Sequence, residues 1–186
     1  MKELVKLFTQ IALLRRGPQD LPASMLLLAL TIVAYLAINV LLNGLLPPPA
    51  AADAAARVAE ADQPNWSAQL LLDTVFTLVW YVALLRLAGR PERTLQTTTA
   101  VLGIQIVLAP LLFLSRWLAP RFPHDSPGFV PVVLFGIVLL AWFVAANSHI
   151  VKAALEWSLG ASVALVILQI LAGELLQRAL FPITQG

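Results

Sequence analysis

This sequence predicts an all-α integral membrane protein, a five-transmembrane-helix bundle preceded by an interfacial amphipathic helix, on three observations. Of its 186 residues 60% are hydrophobic and 12% charged, and the mean hydropathy is +0.85, too apolar for a soluble domain. The apolar residues fall into five runs, each of about the 20 residues that a helix needs to cross a hydrocarbon core of about 30 Å. Prolines, glycines and charges stand between the runs. Five such spans use roughly 100 to 115 residues, so the chain reads as a single membrane domain over 1–186, with any activity in the bundle or its short loops.

Residues 1–16 set Leu4, Val5, Phe8, Ile11 and Ala12 on one helical face and Lys2, Lys6 and Gln10 toward the other. That is the pattern of a short helix lying in the membrane interface. Arg15-Arg16-Gly17-Pro18 closes the segment without a small-residue cleavage site, so it reads as a retained anchor and not as a signal peptide.

Span one covers about 22–46, with Asp20 as its expected cap and Pro22 in its first turn. The proline- and alanine-rich stretch 47–67 reads as an exposed outer loop. Span two, about 68–89, stops at Gly89-Arg90-Pro91, and span three, about 98–118, contains Pro110, which removes a backbone donor and predicts a kink. After the breaker-rich loop 120–128, span four covers about 129–146. A polar stretch from Asn147 to Glu156 then leads to span five, about 157–180, although Ile150 and Val151 could extend the preceding helix.

Counting Lys and Arg on alternate sides gives the orientation. Lys2, Lys6, Arg15, Arg16, Arg86, Arg90, Arg93 and Lys152 fall on one side, and Arg57, Arg116, Arg121 and Arg178 on the other. Eight against four puts the N-terminus in the cytoplasm and the C-terminus outside, periplasmic or extracellular. The inner eight form a lipid-facing basic rim suited to anionic headgroups. Trp66, Trp117 and Trp157 fall near span ends, where an indole buries its ring and keeps its N–H wet.

Polar residues inside spans carry the most information, because each needs a partner or water. Thr31, Tyr35, Asn39 and Asn43 recur at steps of four along span one. Asp73 lies about one turn below the outer boundary of span two, with Thr77, Trp80 and Tyr81 deeper. Gln169, Glu174, Gln177 and Arg178 in span five and Arg116 at the end of span three are expected on the same outer side. Glu174 and Arg178, four residues apart, can pair within their own helix, leaving Asp73 to Arg116, to a span-one asparagine or to water. The candidate cluster is therefore Asn39, Asn43, Asp73, Arg116, Gln169, Glu174 and Arg178. It reads either as a polar vestibule for an ion, proton or small polar ligand, or as interhelical hydrogen bonds that fix packing.

Several chemistries lack their residues. With no cysteine there are no disulfides, thiolate metal sites or cysteine nucleophiles. His124 and His149 are too few for a haem pair or a zinc centre, and no cofactor is expected. His149 reads as a solvated loop residue, and His124-Asp125-Ser126 is adjacency in sequence, not triad geometry. The net charge is only +2, so nucleic acid is not a partner. No nucleotide-binding glycine loop, metalloprotease or serine-hydrolase motif is present, and the chain is expected not to be an enzyme. Gly160 and Ala164 stand at small-xxx-small spacing in span five.

The stretches Arg15-Arg16-Gly17-Pro18-Gln19-Asp20-Leu21-Pro22 and His149-Ile150-Val151-Lys152-Ala153-Ala154-Leu155, set in a five-span layout with a basic N-terminal segment inside, resemble the Yip family of small polytopic membrane proteins and its bacterial branch. The family's eukaryotic acidic-aromatic and glycine-tyrosine motifs are absent here. The resemblance implies a non-enzymatic bundle of a bacterial-type inner membrane, working through lipids, a membrane-protein partner or a second copy of itself as scaffold, accessory subunit or assembly factor. The alternative expectation is a small transporter or ion-conducting protein that uses the outer cluster around Asp73.

Overall fold

The computed structural model describes residues 2–45, 66–122 and 125–182. Among them the regular structure is helical: α1 (Lys2–Ala12), α2 (Met25–Leu45), α3 (Trp66–Leu87), α4 (Thr94–Leu118), α5 (Phe129–Leu155) and α6 (Leu159–Leu180), with 3-10 turns at Pro18–Asp20, Pro91–Arg93 and Ala119–Arg121. Helices α2 to α6 are long and apolar enough to cross a membrane. The expected loop 47–67 and His124 lie almost entirely outside the described residues.

Local chemistry sets the helix ends. Ser24, not Asp20, caps α2: its Oγ accepts from Leu27 N–H at 3.3 Å. Asp20 instead folds back on Gly17 N–H at 3.1 Å and closes the 3-10 turn ahead of the helix. Gly89, at φ +71°, ends α3 in the left-handed conformation that glycine adopts without strain. Arg90 N–H then reaches the Leu85 carbonyl at 2.8 Å, the closure of a Schellman motif. Ser158 caps α6 by accepting from Ala161 N–H.

Two spans differ from expectation. Helix α4 starts at Thr94 and runs unbroken through Pro110, which sits on its exposed side. Helix α5 does not stop at 146. Ala146, Ile150, Val151, Ala154 and Leu155 are all buried at helical spacing, so the polar stretch is one face of a continuing helix whose other face is core. Helix α5 ends at Glu156, a non-glycine residue at φ 60°, and only Glu156, Trp157 and Ser158 separate it from α6.

Helix α4 is central and is the most buried of the five spans. It packs on α1, α2, α3 and α5, while α6 bridges α5 and α3. The end of the bundle that carries residue 21, the α3–α4 turn and the α5–α6 turn is the near end, and the opposite end is the far end. The near half is solid, filled by Ile11, Leu21, Tyr81, Leu85, Val101, Ile104 and Ile150.

The interfacial-helix expectation needs correction. Helix α1 ends at Ala12, short of residue 16, and its apolar face lies on protein: Ile11 and Ala12 are fully buried. A Cβ on Gly103 of α4 would overlap the Phe8 ring. Trp142 of α5 donates its indole N–H to the Ala12 carbonyl at 2.7 Å, and His149 Nε2 lies 3.2 Å from the Arg16 carbonyl. His149 is thus a helical residue docked on the N-terminal segment, not a solvated loop residue. Val5, Leu13 and Leu14 remain uncovered.

Candidate functional site

The far half of the bundle is hollow. A cavity of about 530 Å³ opens among α2 to α6, all five of which contribute side chains. The inward positions here include Asn39, Asn43, Asp73, Gln105 and Gln169 among apolar residues such as Leu112, Leu139 and Ile170.

Six of the seven cluster residues expected from sequence line this one cavity: Asn39, Asn43, Asp73, Arg116, Gln169 and Glu174. Arg178 does not, but its Nε donates to Glu174 Oε1 at 2.8 Å in the expected i,i+4 pair at the rim. The partner of Asp73 is none of those foreseen. Tyr35 of α2 donates its hydroxyl to Asp73 Oδ2 at 3.2 Å, tying α2 to α3. Deeper, the fully buried Tyr81 of α3 donates to Gln169 Oε1 of α6 at 2.7 Å. Trp80 meets Phe76 in a tilted pair with ring centroids 5.7 Å apart.

The two asparagines do not bridge helices. Asn39 donates its side-chain N–H to the Tyr35 carbonyl and Asn43 to the Asn39 carbonyl, each at 2.8 Å. Thr31 does the same to Leu27. The step of four in the sequence is this repeated back-bond along α2, which takes one of the two N–H donors of each amide and leaves the side-chain oxygen unbonded.

Arg116 enters no ion pair among the described residues. Sequence reasoning missed Gln105 and Asn147, which line the cavity from α4 and α5, and the three phenylalanines Phe76, Phe113 and Phe143. Gln105 was detectable as an amide in an apolar span. Asn147 was hidden by its assignment to a loop, whereas it is buried and donates to the Phe143 carbonyl at 2.8 Å.

The basic rim divides. Arg90 and Arg93, in the α3–α4 turn, clamp Glu156 in the α5–α6 turn, each with a closest N–O distance of 2.6 Å. Arg93 also donates to the carbonyls of Ala153 and Ala154 at the end of α5. Hydrogen bonds from Arg90 and then Arg93 pull the Glu156 carboxyl down to about 2, and the same pair raises Arg90. Lys6, Arg15, Arg16, Arg86 and Lys152 stay exposed, while the Lys2 side chain lies outside the described residues. At the far end Arg121 stacks 3.4 Å above the Trp117 ring. Trp66 and Trp157 are exposed at helix ends.

Among the described residues no group of three or more His, Cys, Asp or Glu side chains is placed to hold a metal. No family model, curated protein or solved structure matches the chain.

Proposed function

We propose that the chain is a small multi-pass membrane protein that takes a small polar solute into the far-half cavity, as a transporter or a solute-binding subunit of one, with no covalent chemistry of its own. One observation carries the reading. Asp73, Asn39 and Glu174 share one cavity instead of plugging one another, and packing alone gives no reason to keep the half-buried Asp73 carboxylate beside an unfilled space. Concave sites of 300 to 1,000 Å³ with a few convergent polar groups are the usual form of ligand pockets.

The positive-inside count puts the near end in the cytoplasm and the cavity mouth outside, in a bacterial-type inner membrane. Exposed Lys6, Arg15, Arg16, Arg86 and Lys152 would then meet anionic headgroups on the cytoplasmic side. A place beside the Yip family belongs to the same proposal and rests on the five-span layout and the two short stretches at residues 15–22 and 149–155.

The scaffold reading keeps one observation of its own. Gly160 and Ala164 are exposed on α6, and a Cβ on Gly160 would meet nothing within 4 Å, so this small-residue stripe is free to receive a helix of a partner or a second copy.

Asp73 separates the two readings. A solute-handling role needs the ionisable group, so Asp73→Asn should abolish uptake or the cellular phenotype while the protein stays folded and inserted. A packing role needs only an acceptor, which makes Asp73→Asn neutral and Asp73→Leu disruptive. Thermal stability in detergent measured beside the cellular readout distinguishes these, and a stable, fully active Asp73→Asn protein would sink the solute reading.

A further inference from the structure

Resting on that reading, we infer that the solute is a zwitterion, a molecule bearing an ammonium group and, within the same small frame, a carboxylate or phosphate. Its ammonium sits at Asp73 and its anionic group at Arg116.

The charges in and around the cavity do not cancel in place. Glu174 is already matched by Arg178. Asp73 has only a neutral partner, the Tyr35 hydroxyl on one of its two oxygens. Arg116 has no ion-pair partner among the described residues, and it is not within ion-pair distance of Asp73. One negative and one positive group therefore line the same hollow, held apart. Asp73 is seven residues into α3 and Arg116 two residues short of the end of α4, so at 1.5 Å per residue, with level far ends, they differ in depth by about 7 Å.

Arg116 is exposed at the cavity mouth and Asp73 is half-buried, so a cation alone would leave the guanidinium to water and an anion alone would leave the carboxylate with only the Tyr35 hydroxyl, whereas a zwitterion engages both. The remaining donors and acceptors fit the same orientation. Asn39 and Asn43 each spend one amide N–H on a helix carbonyl and keep the side-chain oxygen unbonded, so each offers an acceptor, with one remaining N–H, on the α2 side that also carries Tyr35. Acceptors around a carboxylate suit the several N–H groups of an ammonium. Phe76, Phe113 and Phe143 supply apolar wall for the carbon frame of the molecule.

The same chemistry is carried by a free amino acid and by the headgroup of an ethanolamine phospholipid, and the test distinguishes them. The full chain, purified in a maltoside detergent, is titrated with L-phenylalanine, with phenethylamine as its ammonium half, with 3-phenylpropanoate as its carboxylate half, and with dihexanoylphosphatidylethanolamine. Binding is read by calorimetry and by the rise in unfolding temperature. One zwitterion is expected to bind at least tenfold more tightly than either half-molecule, phenylalanine if the source is aqueous and the short lipid if it is the membrane. Asp73→Asn should remove the advantage over 3-phenylpropanoate, and Arg116→Gln the advantage over phenethylamine. Should Asp73→Asn fail to fold, Arg116→Gln against Arg116→Lys carries the comparison. A half-molecule that binds as tightly as the zwitterion, or zwitterion binding untouched by both substitutions, overturns the inference while leaving the cavity a solute site. No binding by any probe overturns the inference too, and if Asp73→Asn is also silent in the cell, the solute reading falls with it.

Discussion

Tyr81 and Tyr35 show how single hydroxyls hold this bundle together. Tyr81 is fully buried, and its bond to Gln169 joins α3 to α6, which also meet where Phe76 lies against Gly173. Interhelical hydrogen bonds in membranes average about 0.6 kcal/mol and reach about 1.7. Tyr81→Phe should therefore cost about 1 kcal/mol in reversible unfolding from detergent, with the higher part of the range arising because Gln169 loses its donor. No change in the unfolding midpoint would show that the pair contributes nothing. At this scale much of the site was legible: an ionisable or amide side chain in an apolar helix must turn inward, which is why Asp73, Asn39, Gln169 and Glu174 were found. Their partners were not legible. Tyr35 and Asp73 are 38 residues apart, and which residue of one helix faces which of another depends on helix rotation, for which the sequence carries no separate signal.

Helices α1 and α5 are the elements whose roles changed most between sequence and structure, and for the same reason. An amphipathic face needs an apolar surface, but the pattern does not say whether lipid or protein provides it. The middle of α4 at Gly103 and the near-end extension of α5 supply protein, and α1 docks there through Phe8 and Ile11. Gly103→Ala should displace α1 and destabilise the protein by about 1 to 3 kcal/mol, as overpacking does. Phe8→Ala in the same chain should recover most of that loss; a double variant no better than Gly103→Ala would mean that Phe8 is not what the new methyl meets. The turn between α5 and α6 allows a test against pH. Because Arg90 and Arg93 lower the Glu156 carboxyl from 4.5 to about 2, its contribution is fully present above 4.5 and is lost as pH falls toward 2. The stability gap between the parent and Glu156→Gln should stay flat from neutral pH to about 5 and close below it. A gap that instead closes between pH 6 and 8 would point to a different titrating group.

For the molecule as a whole, the five apolar runs and the single-domain layout were plain from hydropathy, because length and apolar composition are local properties. The hollow was not, since it depends on how five helices meet. Orientation remains measurable by thiol labelling in the cysteine-free chain. A cysteine at Ala55, outside the described residues, should react with an impermeant reagent on intact cells, and one at the exposed Glu92 should react only after the membrane is opened. The reverse pattern would turn the molecule over and place the cavity mouth in the cytoplasm.

The clamp of Arg90 and Arg93 on Glu156 joins the tips of two helical hairpins, α3–α4 and α5–α6, at one end only. Gln96 adds a bond from α4 to the Leu21 carbonyl at the same end. Mechanically this makes a fulcrum. A 22-residue helix such as α3 or α6 is about 33 Å long, so a tilt of about 5° about the pinned tips carries the opposite tip about 3 Å. A small angular change at that base would thus become a displacement as large as an atom-to-atom contact at the cavity mouth.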